Sequence, residues 1–476
     1  MNIKKILKHN PILVFGMILS SILIFLFLFK KIGIKDSVMT SLATAMLILA
    51  LYYTAVDMKK SILLFIVCFP IFVTARKVVY FDLLFIKVTY ESIYITIMFI
   101  LNIKNIFKFI KVKLFHKESL SSKFLFLVLI FVLLATNSNI FSEDILKSLR
   151  STYTSIWIPV MFMLTTLVVF KYEDITNIFY ALILSVDLSC FYGFSQVITN
   201  RLTLESIKRH RELLTFGYHN VNIFAGILLL VLPLVLEIVL YKKLNKKEKM
   251  FIYVSLFVHI IALIITFTRG AWISFIVAAF IVLISKRYKK VVYLFGIMFL
   301  LSSKWIITFI LHRGQVTADF FKNESMMARL QGIIASIEMI IKYPFGAGGS
   351  TFAELYNKFA MDAYLTFPES IRLKAPIANY PLEMAHNLWF QIAVEFGIVT
   401  SILFLIIIIN RLKVIFKNYS ENRGVFTSII IYIIFSVLTG IEFDHKGVIT
   451  GTLIIWLIFT IIELRNKEGC LNEKVA

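Results

Sequence analysis

Continuous apolar runs of membrane length alternate along the chain with short polar connections, without the ten-residue alternation that a β-barrel needs. They predict helices near 11–29, 38–56, 62–74, 89–103, 123–136, 152–170, 175–198, 219–241, 250–267, 270–285, 291–311, 386–409, 425–441 and 447–463, the third to fifth being short. The expected fold class is therefore all-α: a polytopic integral membrane protein of about 12–14 transmembrane helices, forming a single transmembrane domain over residues 1–476. Met1–Asn10 is basic and Pro11–Phe29 apolar, with no small-residue cleavage site after them, which predicts a first helix that stays attached.

One connection is long. Residues 312–385 are expected to form an extracytoplasmic capping loop within that domain, resting on the outer membrane surface. Met327–Lys342 reads as an amphipathic helix with Ile333, Ile334, Ile337, Ile340 and Ile341 on one broad face. Tyr343 and Pro344 end it, and Phe345–Gly349 reads as a flexible turn.

Lys and Arg are about twice as dense in the connections Lys104–Lys123, Lys242–Lys249, Lys286–Lys290 and Arg411–Arg423 and their companions as on the other side. This bias predicts that both termini are cytoplasmic. Composition agrees with the class: 476 residues are 59% hydrophobic, with 46 Phe and only 16% charged residues, more apolar side chain than a soluble domain of this size buries. The formal charge of +22 does not imply nucleic acid, because the basic residues punctuate apolar spans instead of forming a stripe. Cys68, Cys190 and Cys470 lie far apart, so neither a disulfide framework nor a thiolate metal site is expected. No phosphate-binding P-loop or dinucleotide fingerprint is present, and no cofactor is expected.

Candidate chemistry gathers on the predicted outer side. His386 and Asn387 open an apolar run, which puts a titratable ring at the depth of lipid head groups, where imidazole can take a proton from a sugar hydroxyl. Glu395, nine residues on, would fall on the opposite face of a continuous helix and is a poor partner for it. Arg269 sits at the tip of the hairpin Thr266–Gly270, where a guanidinium can grip phosphate oxygens in a bidentate geometry. Arg201, Lys208, Arg209 and Arg211 crowd an outer connection against the positive-inside trend, and Arg329 lies in the amphipathic loop helix. Taken singly, these residues also read as an interfacial histidine, a snorkelling arginine and a solvated basic loop. Lys304, Asp187 and Glu237 fall within or near apolar spans, where each needs a partner or a route to the interface.

These residues resemble the O-antigen ligase and polymerase superfamily of bacterial envelope glycosyltransferases, over about Leu213–Ile408. His386-Asn387, nine residues, then Gly397, two residues and Thr400 is similar to the ligase histidine motif. Thr268-Arg269-Gly270-Ala271 resembles its Ser-Arg-Gly-Ala turn, with Ile273 in place of a leucine. Asn222-Ile223-Phe224-Ala225-Gly226 is similar to its Asn-x-Phe-Ala-Gly helix start, although the preceding Phe216-Gly217-Tyr218-His219 is altered and more widely spaced. Arg329 followed by Pro344-Phe345-Gly346-Ala347-Gly348 resembles its loop segment.

The resemblance implies a GT-C-like membrane fold in the bacterial cytoplasmic membrane and a metal-independent glycosyl transfer. Its donor would be an undecaprenyl-type pyrophosphate-linked glycan and its acceptor a glycan or a lipid, among membrane lipids as partners. Carried over, Arg211 (preferred to Arg209), Arg269 and Arg329 would hold the pyrophosphate and His386 would act as the base. Asn387, Gly397, Thr400, Asn222, Gly270, Gly346 and Gly348 would support them. Polymerase and ligase differ in acceptor alone. A glycan transporter or flippase is the alternative, expected to show repeats, broken helices and a polar site at mid-membrane, none of which is legible in the sequence.

Overall fold

The computed structural model describes residues 16, 19–26, 33–77, 79–115, 120–285, 287–298, 301, 324–373, 381–438 and 448–472. The spans expected near 11–29 and 291–311, with Lys304 and the start of the long loop, lie partly or wholly outside these residues. In chain order the main helices are α1 (Ile34–Val56), α2 (Met58–Val67), α3 (Phe69–Thr74), α4 (Tyr90–Phe115), α5 (Leu120–Asn137), α6 (Ile145–Thr152), α7 (Ile158–Val169) and α8 (Ile175–Thr199). There follow α9 (Val221–Tyr241), α10 (Lys246–Ile265), α11 (Arg269–Leu283), α12 (Glu324–Lys342), α13 (Phe352–Leu365), α14 (Leu388–Phe396), α15 (Ile398–Phe416), α16 (Arg423–Leu438) and α17 (Thr450–Asn472). A two-stranded antiparallel hairpin, β1 (Phe81–Leu83) with β2 (Ile86–Val88), joins α3 to α4 in the register Phe81↔Val88. Among the described residues eight helices are long and apolar enough to cross a membrane, and Arg269–Leu283 and Arg423–Val437 are shorter apolar ones. The protein is an all-α, multi-pass membrane protein.

Helix boundaries follow local chemistry. Asp57, Asp144, Asn220, Asn245 and Asn387 each accept a backbone N–H of the first turn they precede, and Asn245 forms a capping box with Glu248. Three expectations change. The basic stretch after residue 103 continues α4 to Phe115, so Lys104–Lys113 is helix instead of loop. The run 386–409 breaks at Gly397 into α14 and α15. Residues 352–365 of the long loop form a second helix, α13, that the sequence reading missed.

The helices α7, α9 and α17 are buried nearly all round, and the exposed apolar side chains, such as Phe107, Phe126, Leu133 and Phe257, sit on the peripheral α4, α5 and α10. A lipid surround offers those side chains much the same environment as protein, so close packing and polar ties carry more of the specificity. Gly424 lets α16 approach α9, since a Cβ there would lie 2.7 Å from the Pro233 carbonyl. Its N–H donates to Glu237, and Arg465 lies 3.8 Å from the same carboxylate. Arg411 of α15, fully buried, donates to Glu463 of α17 at 3.0 Å and stacks 3.8 Å over the Phe124 ring, with Lys113 3.4 Å from Glu463. Mid-bundle, Ser255 donates to Asp187 at 2.8 Å, and His259 Nε2 approaches the same carboxylate to 2.9 Å. Asp187 and Glu237, expected to need partners, have them.

At the opposite end of the bundle α12 and α13 pack on α14 around Ala335, Met339, Phe352, Tyr356, Ala363 and Val394. The cap is seated by backbone. Ala347 N–H donates to Val394 O (2.9 Å), Gly348 N–H to Glu395 O (2.8 Å) and Ile398 N–H to Pro344 O (3.1 Å). Phe345–Gly349 is thus a docked segment, and the expected flexible turn is corrected. Gly349 N–H also reaches Asn139 Oδ1, an oxygen that accepts from Ser148 and Thr152 too. On the cap's rim Lys147 pairs with Glu354 and Lys358 with Glu143, the Lys358 ammonium holding the Glu143 carboxyl below its usual range. The face of α12 that packs is Ala328, Gln331, Ala335 and Met339, while Ile337 and Ile341 of the expected apolar face stay exposed.

Two outcomes follow. Arg411→Met leaves Glu463 buried beside Lys113 alone and should cost about 3–5 kcal/mol, whereas Arg411→Met with Glu463→Leu should recover most of it. Thermal unfolding in detergent checks this, and equal loss in both variants would refute it. Gly397→Ala puts a Cβ 2.7 Å from the Phe345 carbonyl carbon at φ +93°, so the cap should undock. Limited proteolysis should then cut faster between residues 345 and 373, and an unchanged digest would disprove the docking role.

Candidate functional site

The segment before α9 is held in place by Gln196 of α8. Its Oε1 accepts the N–H groups of Thr215 (3.0 Å) and Phe216 (3.1 Å), and its Nε2 donates to Thr215 Oγ1 at 3.0 Å. Phe216 takes a left-handed backbone (φ +51°) and stacks on Phe224 with ring centroids 4.2 Å apart. That ring occupies the space left by Gly193, where a Cβ would lie 2.0 Å from a ring carbon. The segment is therefore pinned on two sides, and Arg211 emerges from it at a fixed place.

Arg211 donates to Asn222 Oδ1 (3.2 Å) and to the Phe267 carbonyl (3.4 Å), and Thr268 Oγ1 donates to the same Asn222 oxygen at 3.1 Å. These bonds tie the start of α9 to the reversal between α10 and α11, where Phe267 is left-handed (φ +47°) and half-buried Arg269 opens α11 beside Gly270. The structure thus brings Arg211, Asn222 and the Arg269 turn together. The amide oxygen of Asn222 and the carbonyl of Phe267 orient the guanidinium between the two turns. The N-termini of α9 and α11, with their positive dipole ends, lie at this place too, and the combination favours an anion. The preference for Arg211 over Arg209 rests on this bond to Asn222, since the Arg209 side chain lies outside the described residues.

His386 belongs to the second group. It is half-buried with φ +51°, in a bend before α14 instead of inside a helix. Asn387 caps α14 through Trp389 N–H (3.0 Å) and Phe390 N–H (3.3 Å). Gln391, absent from the sequence reading, accepts Ala385 N–H at 2.8 Å and donates to Glu395 at 2.9 Å. Glu395 also faces the Phe352 N–H of the cap at 3.5 Å. The chain Glu395–Gln391–Ala385 therefore fixes the backbone on which His386 sits, a role for Glu395 that a continuous helix from residue 386 did not foresee. Thr400 of α15 is buried and donates across the break to Phe396 O, the end of α14, at 2.7 Å, and Gly346, Gly348 and Gly397 are positive-φ residues of the cap docking. Most of the histidine motif is scaffold, with His386 as its titratable member.

Arg329 lies half-buried in α12, two residues before Gln331, whose amide donates to Ala360 O of α13 at 2.6 Å. It belongs to the cap, on the helix that packs against α13 and α14. Among the described residues no group of three or more His, Cys, Asp or Glu side chains is arranged to hold a metal ion. Sequence reasoning also missed the buried pair of Arg76 and Glu91, 3.2 Å apart. An acidic residue opening an apolar run was the available signal for it.

No curated protein matches the chain. The family described as O-antigen ligase matches residues 252–405, which hold α11 to α14, including Arg269, Arg329 and the whole His386–Thr400 motif, with most of α10 and the first part of α15. That match covers about a third of the 476 residues, and it supports the protein's place in the O-antigen ligase and polymerase superfamily.

Proposed function

We propose that the protein is a glycosyltransferase that moves glycan from a polyprenyl-pyrophosphate donor to a glycan or lipid acceptor at the outer face of the cytoplasmic membrane. The observation that carries this reading is the Arg211–Asn222–Thr268 bridge, which holds two arginine-bearing turns at two helix N-termini. Arg211 and Arg269 grip the pyrophosphate and stabilise the charge that develops on it as the sugar–phosphate bond breaks. His386 takes the proton of the attacking hydroxyl, which then bonds to the anomeric carbon as the pyrophosphate departs. Arg329 contributes from the cap, and the donor's own pyrophosphate supplies the driving force. An undecaprenyl-type lipid and cytoplasmic termini accord with the basic connections and the family. Polymerisation and ligation use the same groups and differ only in which hydroxyl is presented.

A transporter reading draws support from the helix breaks at Cys68 and Gly397 and from the mid-bundle Asp187–His259 pair, features the sequence had not disclosed. Mutation separates the two. His386→Ala should abolish glycan transfer, by about a hundredfold or more, with the protein still inserted and folded. Normal glycan from that variant would sink the catalytic reading and favour transport. Gln391→Leu removes the acceptor of Ala385 N–H and should lower kcat about tenfold, with KM for the donor nearly unchanged. The pH profile of kcat should shift as well, because the base is held differently. A variant altered only in thermal stability would make Gln391 purely structural.

A further inference from the structure

A cavity opens on the segment that follows Arg211. It measures about 480 Å³, within the roughly 300–1,000 Å³ of small-molecule sites. It is built by the start of α1, the turn after α3, the C-terminal part of α8 and the segment Thr215–His219. Every residue lining it lies outside the segment 252–405 that the family description matches.

Its lining mixes aromatic faces with directional polar groups: Tyr80, Tyr192 and Tyr218 with Arg76, Gln196 and His219. Arg76 is nearly buried, pairs with Glu91 at 3.2 Å and lies 6.0 Å from the centre of the Tyr80 ring. Asp36 shares the wall. With Glu91 paired to Arg76 and Asp36 in the wall, the lining carries little net positive charge, so this cavity suits a pyrophosphate poorly. A neutral polyhydroxylated ring suits it well. Its C–H face packs on tyrosine rings, and its hydroxyls exchange hydrogen bonds with the amide and guanidinium planes.

The same pinned segment carries both places. Thr215 is four residues from Arg211, so their Cα atoms are at most about 15 Å apart. We propose that this cavity is a saccharide subsite: it binds a sugar of the glycan whose pyrophosphate sits at Arg211, and so selects which glycan is used. The proposal rests on the glycosyl-transfer reading for the identity of that glycan. It gives a division of labour along one segment, with Arg211 at its start holding the phosphate and Thr215–His219 reading the sugar.

Tyr192, half-buried on α8, is the probe position. The variant Tyr192→Cys, in a chain with Cys68, Cys190 and Cys470 changed to Ala, is labelled with a water-soluble maleimide in lipid nanodiscs. Three additions are compared: lipid-linked glycan extracted from cells lacking the protein, the glycan released from it by mild acid, and polyprenyl pyrophosphate without sugar. Both glycan-bearing additions should slow labelling at least about fivefold, and the sugar-free lipid should not. Equal protection by the sugar-free lipid, or none from either glycan, overturns the subsite. Tyr192→Ala should raise KM for the donor roughly tenfold at nearly constant kcat, and an unchanged KM counts against it. Transfer is measured in parallel with the unaltered protein. Protection without transfer sinks the glycosyltransferase reading and keeps the subsite, whereas transfer without protection sinks the subsite alone.

Discussion

The close approach of two backbones, at Gly346 and at Gly397, is the constraint on which the rest of this molecule depends. A Cβ on Gly346 would lie 2.6 Å from the Gly397 nitrogen, and one on Gly397 would lie 2.8 Å from the Phe345 carbonyl oxygen. Such contact is open only to glycine, and both residues use the positive φ that glycine adopts at little cost. Because the segment docks there, α12 and α13 have a floor in α14. Because α14 ends there, it is short, and its first turn can be stapled to the bend at residues 385–387 by Asn387 and Gln391. The position of His386 is thus decided by residues some ten positions away in the chain.

Charge is handled in two ways in the bundle. Away from the cap, cations and anions meet as buried pairs, Arg411 with Glu463 and Arg465 with Glu237, which keep charge out of hydrocarbon. Arg211 instead donates to an amide oxygen and a backbone carbonyl, near the positive ends of two helices. The first arrangement joins helices; the second sets the direction of a guanidinium at a turn.

The helical spans were legible because hydrocarbon imposes one length and one polarity on whatever crosses it. Where that constraint lapses, the sequence misled. Basic residues after 103 looked like a loop, yet long lysine side chains can leave a helix that runs on past the interface. The 386–409 run looked continuous, since hydropathy does not register a single Gly397 whose φ is set by a distant partner. The isoleucine face of α12 looked like the packed one, but small residues, Ala328 and Ala335, allow the closer approach. In the candidate site, Arg211, Asn222 and Arg269 were brought together as motif fragments suggested, because their spacing is local to two helix starts. Gln196 and Gln391 were invisible: each is an ordinary polar residue until its backbone partners are known.

The Arg411–Glu463 pair also bears on how the chain is made. Arg411 is synthesised and inserted with α15 well before α17 supplies its counter-ion, and each charge alone in hydrocarbon costs a few kcal/mol. Until α17 is in place, Arg411 can lean only on groups such as Asn410 and the Phe124 ring, so α15 gains its full hold in the bundle once Glu463 reaches it. Arrival of α17 thus settles α15 as well, so one ion pair fixes two helices.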